Sequence, residues 1–230
     1  MQAIILAAGK GSRLSPLTDK IPKCLVEVNG KPIIDYTIDI LRELHIDDII
    51  VVCGYKEDIL RKHLNKINYT FVKPITFVHQ EKLTGTADAI YLCKDYIKDN
   101  FLVLSGDIIY DKGSLYKLRG IINSLLYTKQ DERLYEYGTI EIYGDIVYHI
   151  NEKSTKPTSN MVNCGAYHFS KDVFKYIPMT EVDSRFDERI ITNTINYMID
   201  YMYEFTSIEI PNLNEITRVE DIKKVERRLK

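Results

Sequence analysis

Short, continuous runs of apolar residues recur in the first half of the chain, and polar residues or glycines follow each of them. They read AIIL up to residue 6, IIVVC up to residue 53, ITFV up to residue 78 and FLVL up to residue 104. Continuous apolar runs of this length are typical of strands that are buried inside a sheet. The sequence therefore predicts four strands in this half.

Helical periodicity fills the intervals between these strands. Pro32 stands at the predicted start of a segment whose apolar residues recur every third or fourth position as far as Leu44. A second helix is predicted over residues 57–66, and a third begins at Thr86, as its cap, and runs to about residue 98. Strands that alternate with helices at these intervals predict an α/β fold, with a parallel sheet covered by helices on both faces.

The pattern changes after about residue 126. Apolar and polar positions alternate around Tyr143-Gly144-Asp145, which predicts a β-hairpin. A strand at NCGAYHF, a helix over residues 186–201, a strand at YEFTSIEI and a last helix from Arg218 follow. No proline- or glycine-rich linker separates the halves, so we expect a single domain over residues 1–230, divided at about 126 and 127.

The amino-acid composition and net charge limit the kinds of partner that we expect for this protein. The 230 residues are 45% hydrophobic and 28% charged, which is ordinary for a soluble globular protein. Lys and Arg number 31 against 33 Asp and Glu, giving a net charge of -2, so nucleic acid and membrane surfaces are not expected partners. No apolar run approaches the roughly 20 residues of a membrane span. Polar residues interrupt the first apolar run after a few positions, so it does not resemble a secretory signal peptide. The four cysteines are dispersed along the chain, which is typical of reduced thiols, and we therefore expect a cytoplasmic protein.

The loop after the first strand is the first candidate site, because ligands of open α/β sheets bind beyond the carboxyl ends of the strands. Gly9 and Gly11 leave backbone N–H groups accessible, and Lys10, Arg13 and Lys23 add positive charge, a combination that suits phosphates. A Walker A motif needs a Ser or Thr directly after its glycine–lysine pair, and a glycine follows Lys10 instead. The loop also lacks the third glycine of a dinucleotide fingerprint. By itself, a glycine–lysine turn after a strand is equally typical of a structural turn.

A longer pattern is more specific. LAAGKGSRLSPLT and IPKCLVEVNGKPIIDY are followed in order by VVCGY, QEKLTGTADAI, VLSGD, YGTIEI, NEK and NCGAYHF. This series resembles the nucleotidyltransferases that make nucleotide-sugars from a nucleoside triphosphate and a sugar 1-phosphate. The resemblance implies a Rossmann-like, mostly parallel central sheet, a nucleotide-binding first half, a small β-rich sugar-binding second half, and Mg²⁺ as cofactor.

The resemblance also implies a role for individual residues. Arg13 would hold the outer phosphates, Lys23 would lie near the α-phosphate, and Asp107 would bind Mg²⁺. The residues implied in nucleotide binding are Leu6, Ala8, Gly9, Gly11, Gln80, Gly85 and Thr86. Those implied in binding the sugar phosphate are Gly138, Glu152, Lys153 and Asn163. The competing interpretation is that the cations are solvated loop charges and that Asp107 caps a turn.

These residue types suit the implied reaction. A sugar phosphate oxygen attacks the α-phosphorus in line and pyrophosphate leaves, so the protein must bring two anions together and neutralise their charge. No protein nucleophile is required, and the absence of a Ser-His or Cys-His arrangement is no objection. Mg²⁺ prefers oxygen ligands such as carboxylates.

The second metal-binding acid departs from the family pattern. Related segments read DIGTPED or EIDTPED, whereas this chain reads EITRVED from Glu215 to Asp221. Glu215 is the metal ligand if the first acidic position binds the ion, and Thr217 takes that place if the third does. Thr217 with Glu220 also forms a capping box for the last helix. We expect Glu215 to bind the metal and Thr217 to cap the helix.

Two other functions stay open at this point. Relatives that share the opening motif transfer cytidylyl groups to a non-sugar alcohol phosphate such as phosphocholine. A chain that had lost its second metal ligand would serve as a non-catalytic regulatory subunit that binds nucleotide-sugars. The base, the sugar and the oligomeric state do not follow from the sequence.

Overall fold

A nine-stranded mixed sheet forms the core of the computed structural model, which describes residues 1–67 and 73–229. In these ranges the strands are β1 (Gln2–Leu6), β2 (Glu27–Val28), β3 (Lys31–Pro32), β4 (Asp48–Cys53), β5 (Thr76–His79), β6 (Phe101–Ser105), β7 (Ser124–Lys129), β8 (Gly138–Tyr143), β9 (Ile146–Glu152), β10 (Met161–Phe169) and β11 (Thr206–Glu209). The strand order is β5-β4-β1-β6-β10-β7-β11-β9-β8, and β2 pairs with β3 separately.

The four strands predicted in the first half are confirmed, and they pair in parallel. Leu6 at the end of β1 is in register with Val52 of β4 on one side and with Ser105 of β6 on the other. The loops that leave β1, β4 and β6 therefore begin at the same edge of the sheet. That edge is where an open α/β sheet binds its ligands.

Helices cover both faces of the sheet. They are α1 (Ile33–Glu43), α2 (Glu57–Ile67), α3 (Thr86–Tyr91), α4 (Lys112–Leu118), α5 (Val173–Tyr176), α6 (Ile191–Asp200) and α7 (Val219–Arg228). Because successive strand side chains point to opposite faces, Ile5 packs in the same apolar cluster as Ile38 of α1, whereas Ile4 packs with Ile90 of α3 and Ile195 of α6. The predicted α/β class and the two helical layers are confirmed. In the described ranges no helix is both long and apolar enough to cross a bilayer.

The second half continues the same sheet with mainly antiparallel strands. β10 pairs antiparallel with β6 and β7, and the predicted hairpin is formed by β8 and β9 with its turn at Gly144-Asp145. The boundary expected near residue 126 lies inside β7, a strand that the sequence pattern did not reveal. Hydrogen bonding thus runs without interruption from one half to the other.

Two helices differ from the prediction, α3 in its cap and its end and α6 in its start. α3 ends at Tyr91 rather than near residue 98, and Thr86 does not cap it, because the Thr86 hydroxyl accepts a hydrogen bond from the Ile191 N–H at 3.0 Å. α6 begins at Ile191 rather than at about residue 186. The residues before it form a separate loop, in which the Asp183 carboxylate binds the Arg185 guanidinium.

The cap of α7 also differs from the prediction. The Asp221 carboxylate accepts hydrogen bonds from the backbone N–H groups of Thr217 at 3.0 Å and Arg218 at 2.8 Å. Asp221 therefore takes the part expected of Glu220, and Arg218 rather than Thr217 is the N-cap residue. The capping box predicted for Thr217 and Glu220 is wrong, because the nearer carboxylate satisfies these amides.

His168 makes the stability of the fold depend on pH. It lies in β10 with 2% of its surface exposed, and its Nδ1 donates to the backbone carbonyls of Ile121 at 2.9 Å and Leu118 at 3.2 Å. Burial lowers its pKa, although the two carbonyls act in the opposite direction. Unfolded chains then bind more protons than folded ones below the ordinary histidine pKa of about 6.5, so acid favours unfolding.

We predict that His168→Asn, which keeps a donor near the Nδ1 position, removes this pH dependence. The free energy of unfolding in urea should fall more steeply for the wild type than for the variant between about pH 7.5 and about pH 5.5. Comparing the two slopes separates the titration of His168 from any loss of packing, which is the same at every pH. Equal slopes would show that His168 does not titrate with folding.

Candidate active site

A polar cavity of about 330 Å³ opens beside the ends of β1 and β6. Its lining consists of residues from the opening loop, from the end of β6, from the β8–β9 region and from the segment before α7. These are Gly9, Gly11, Ser12, Arg13, Lys23, Asp107, Glu136, Tyr137, Lys153, Glu215 and Thr217. The structure thus brings together the predicted catalytic residues Arg13, Lys23 and Asp107 with the predicted metal ligand Glu215.

The opening loop folds tightly against Lys23. Gly11 has a φ of 65°, and a Cβ on it would lie 2.8 Å from the Lys23 Cβ, so both the conformation and the space require glycine. The Thr18 hydroxyl donates to the Gly11 carbonyl at 2.9 Å, and Leu14 is completely buried beneath the loop. These contacts fix the loop that carries Arg13.

Lys23 and Asp107 form an ion pair at the boundary of the cavity. Burial lowers the pKa of Lys23, but the charges of Asp107 and Glu215 outweigh it, and the net pKa of the lysine is raised. Lys23 is therefore a permanent cation at neutral pH. It faces both carboxylates at once.

Glu215 reaches this position through backbone pairing. The chain around it runs antiparallel to the residues after β6: the Ile216 N–H donates to the Asp107 carbonyl at 3.0 Å, and the Ile109 N–H donates to the Asn214 carbonyl at 3.0 Å. Burial and the neighbouring Asp107 carboxylate raise the pKa of Glu215, whereas Lys23 and the hydroxyls of Thr217 and Tyr137 lower it. Two carboxylates from distant parts of the chain therefore share one small volume.

A second, more apolar cavity of about 250 Å³ adjoins the polar one and shares Gly9, Lys23 and Asp107 with it. It contains all the predicted nucleotide-binding residues except Gly11, namely Leu6, Ala8, Gly9, Gln80, Gly85 and Thr86. Leu83 and Glu188 also line it and were not among the predicted residues. Gly11 lies in the polar cavity instead.

Gln80 and Gly85 are held in fixed orientations. The Gln80 side chain is 5% exposed and donates through Nε2 to the Gly85 carbonyl at 3.2 Å. Gly85 has a φ of 116°, and a Cβ there would lie 2.2 Å from the Arg189 carbonyl oxygen. The Arg189 N–H donates to the Thr84 carbonyl at 2.8 Å, so this turn is attached to the loop before α6.

Three of the four predicted sugar-binding residues form a separate cluster that lines neither cavity. Gly138 is opposite Glu152 in the β8–β9 hairpin, and the Glu152 carboxylate accepts from the Thr192 hydroxyl at 2.9 Å. Burial raises the pKa of Glu152. Asn163 donates to the Tyr167 hydroxyl at 2.6 Å. Lys153 is the exception, because it lines the polar cavity.

The sequence also missed Glu136 and Tyr137 in the polar cavity. Burial and the nearby charge of Glu215 raise the pKa of the Tyr137 hydroxyl, so it is neutral beside that carboxylate. Tyr137 is the first residue of the recognisable YGTIEI motif, which is a signal that was available. Glu136 stands in no motif and has no such signal.

Comparison with known proteins identifies the family of the chain. The family model for nucleotidyl transferases matches residues 2–212. The chain is 34% identical over 206 residues to the bifunctional protein GlmU of Methanocaldococcus jannaschii, covering 86% of this chain and 47% of that protein. It is 35% identical over 207 residues to the UTP–glucose-1-phosphate uridylyltransferase AglF of Haloferax volcanii, covering 86% and 84%. The chain thus spans about half the length of the bifunctional relative.

Solved structures agree on the fold. A crystal structure described as a glucose-1-phosphate thymidylyltransferase from Bacillus anthracis, in complex with sucrose, superposes with a TM-score of 0.85 at 25% identity, covering 99% of this chain and 94% of that one. A UDP-glucose pyrophosphorylase complexed with UDP-glucose gives a TM-score of 0.86 at 20% identity, covering 99% and 97%, and at that identity shows the fold alone. With the family match across most of its length, the chain belongs to the nucleotidyl transferase family.

Proposed function

We propose that the chain transfers a nucleotidyl group from a nucleoside triphosphate to a sugar 1-phosphate and releases pyrophosphate. The observation that carries this proposal is the junction of the two cavities. A polar cavity with Arg13, Lys23 and two carboxylates meets a more apolar one with Gln80, and Lys23 and Asp107 lie in both. A nucleotide has the same two parts, a base and a chain of phosphates. The name of the uridylyltransferase relative supports the same reaction class.

In this proposal the base occupies the apolar cavity, and the backbone near Gly85 and the Gln80 amide contact its edge. The phosphates extend past Lys23 into the polar cavity, where Arg13 meets the outer ones. Lys23 neutralises charge at the α-phosphate while the sugar phosphate attacks. Charge stabilisation of this kind is the main contribution that a protein makes to phosphoryl-type transfers.

The donor set suits Mg²⁺. Asp107 and Glu215 supply two carboxylates; burial and then the charge of Asp107 raise the pKa of Glu215, and a bound cation would favour its charged form. No group of three or more His, Cys, Asp or Glu side chains with metal-binding geometry occurs in the described ranges, so phosphate oxygens and water would supply the other ligands. Bound there, Mg²⁺ would neutralise negative charge on the reacting phosphates.

On the acceptor side, Glu152 and Asn163 would bind hydroxyls of the sugar, with Gly138 allowing close approach. Lys153 would contact the sugar phosphate from the polar cavity. We also propose that the protein is cytoplasmic, since all four cysteines are buried as free thiols.

The test is pyrophosphate release by the purified chain. The panel pairs the common nucleoside triphosphates with several sugar 1-phosphates and with phosphocholine, each with Mg²⁺ or with a chelator. Release with at least one sugar 1-phosphate and Mg²⁺ supports the proposal. Release with phosphocholine alone favours the non-sugar acceptor, and nucleotide binding without any release favours the regulatory subunit.

Arg13→Ala should reduce kcat/KM by about 100-fold, because charge-assisted contacts to phosphate are among the strongest hydrogen bonds. The matched control is Lys20→Ala, which removes another exposed cation of the same loop that lines neither cavity. Its kinetics should match the wild type. If both variants turn over normally at low triphosphate, Arg13 does not hold the outer phosphates.

Asp107→Asn should leave the protein folded and lower pyrophosphate release by at least about 100-fold, the scale of a contact to developing charge. Excess Mg²⁺ should restore only part of the activity. Asp111→Asn is the control, because Asp111 caps α4 through the Ser114 N–H at 2.9 Å and lies outside both cavities. Near-normal release by the Asp107 variant would contradict its assignment as a ligand.

Glu215→Gln and Thr217→Val test which residue completes the metal site. We expect the first to raise the Mg²⁺ concentration needed for half-maximal activity by about tenfold, since it removes one charged ligand. The second should leave that concentration and the helix cap unchanged, because Asp221 rather than the Thr217 hydroxyl caps α7. The reverse pattern in a Mg²⁺ titration would assign the ion to Thr217.

A further inference from the structure

Two arginines from distant parts of the chain converge on one carboxylate. Arg13 Nη1 lies 3.1 Å from Glu136 Oε2, and Arg218 Nη2 lies 2.7 Å from Glu136 Oε1. Arg13 belongs to the opening loop, and Arg218 stands three residues after Glu215. The Glu136 side chain is 9% exposed and lines the polar cavity.

The charges of this triad favour a bound anion. Glu136 alone would repel phosphates, but with Arg13 and Arg218 it makes a group of net charge +1. Each guanidinium has five N–H donors in a fixed planar arrangement, and each gives Glu136 one hydrogen bond. Arg13 lines the polar cavity; Arg218 lines neither cavity, but it reaches Glu136 and follows Thr217, both of which line the polar one. Phosphate oxygens at this margin could accept the remaining donors, and the carboxylate limits the freedom of both side chains.

Arg218 is also held from its backbone. The Asp221 carboxylate accepts from the Arg218 N–H, and Asp221 in turn receives the Arg133 guanidinium at 2.9 Å. The segment from Glu215 to Arg218 is thereby anchored at both of its ends. The orientation of Arg218 is thus tied to that of the proposed metal ligand.

We propose that Arg13 and Arg218 together form a subsite for the two outer phosphates of the triphosphate, and that Glu136 is the positioning residue that holds them as a pair. This inference rests on the proposed function, in which these phosphates leave as pyrophosphate. Glu136 acts through the two arginines and does not itself contact substrate. The subsite places two positive charges where the leaving group develops its negative charge.

Arg218→Gln tests the binding half of the proposal by calorimetry with inorganic pyrophosphate and Mg²⁺. We expect binding about tenfold weaker, the loss of one partly exposed charge-assisted contact. Binding of a nucleoside monophosphate, which lacks the outer phosphates, should not change. Arg228→Gln is the control, because Arg228 lies at the opposite end of α7 and bonds the Leu213 carbonyl rather than Glu136. Unchanged pyrophosphate binding by the Arg218 variant overturns the subsite.

Glu136→Gln tests the positioning half of the proposal. Whether pyrophosphate binding weakens or tightens decides between two roles for the carboxylate. If Glu136 orders the arginines, pyrophosphate binding weakens, and in turnover the KM for the triphosphate rises while that for the acceptor is constant. If the carboxylate only repels phosphates, binding tightens, and tighter or unchanged binding overturns the proposal. The double variant with Arg218→Gln should lose less than the product of the two single effects, because both changes act on one subsite.

Thermal unfolding of each variant checks that the fold is intact. If Glu136→Gln does not fold, the pyrophosphate binding of Arg218→Gln alone decides whether the subsite exists. The binding measurements need no turnover, so they separate this inference from the proposed function. A wild type that never releases pyrophosphate refutes the function. A wild type that releases it, beside an Arg218 variant that binds pyrophosphate normally, refutes only the subsite.

Discussion

The ion pair of Lys23 with Asp107 is the interaction around which the rest of the site is arranged. It lies where the two cavities meet, and Glu215 adds a second carboxylate to the same small volume. Burial, and after it the Asp107 carboxylate, raises the pKa of Glu215, because both disfavour its charged form. Lys23 acts in the opposite direction, and the two carboxylates outweigh burial to raise the pKa of the lysine itself.

The sheet accounts for how these groups meet. Parallel pairing of β1 with β6 brings the loop before Lys23 to the same edge as Asp107, and antiparallel pairing beyond β6 brings Glu215 beside it. Neither carboxylate is placed by a flexible side chain alone. Each follows from backbone hydrogen bonds whose register is fixed by buried apolar side chains.

Much of this was predictable where the signal is local. The strands β1, β4 and β6 are buried on both faces, so their sequences are apolar without interruption, and Arg13, Lys23 and Asp107 follow them in recognisable motifs. β7 was missed because its apolar run, Leu125 to Tyr127, is short and polar residues stand on both sides of it. The caps were wrong for a related reason: Thr86 is used by the N–H of Ile191, and Asp221 competes with Glu220.

The convergence of Arg13 and Arg218 on Glu136 lay beyond the sequence for the same physical reason. No sequence motif contains more than one of these three residues. Only tertiary packing brings both guanidinium groups to one carboxylate. An ion pair carries no periodicity, unlike a strand or a helix. Sites built from such pairs are therefore visible only once the fold is known.

The end of β9 shows how one short segment serves two regions. Glu152 faces Thr192 in a buried setting, whereas Lys153, the next residue, has a φ of 43° and lines the polar cavity. The positive φ of Lys153 ends the extended strand at this residue, and its Nζ lies 3.9 Å from Glu152 Oε1, so the two side chains form an ion pair between the regions. Under the proposed function, this pair would link recognition of the sugar ring by Glu152 to recognition of its phosphate by Lys153.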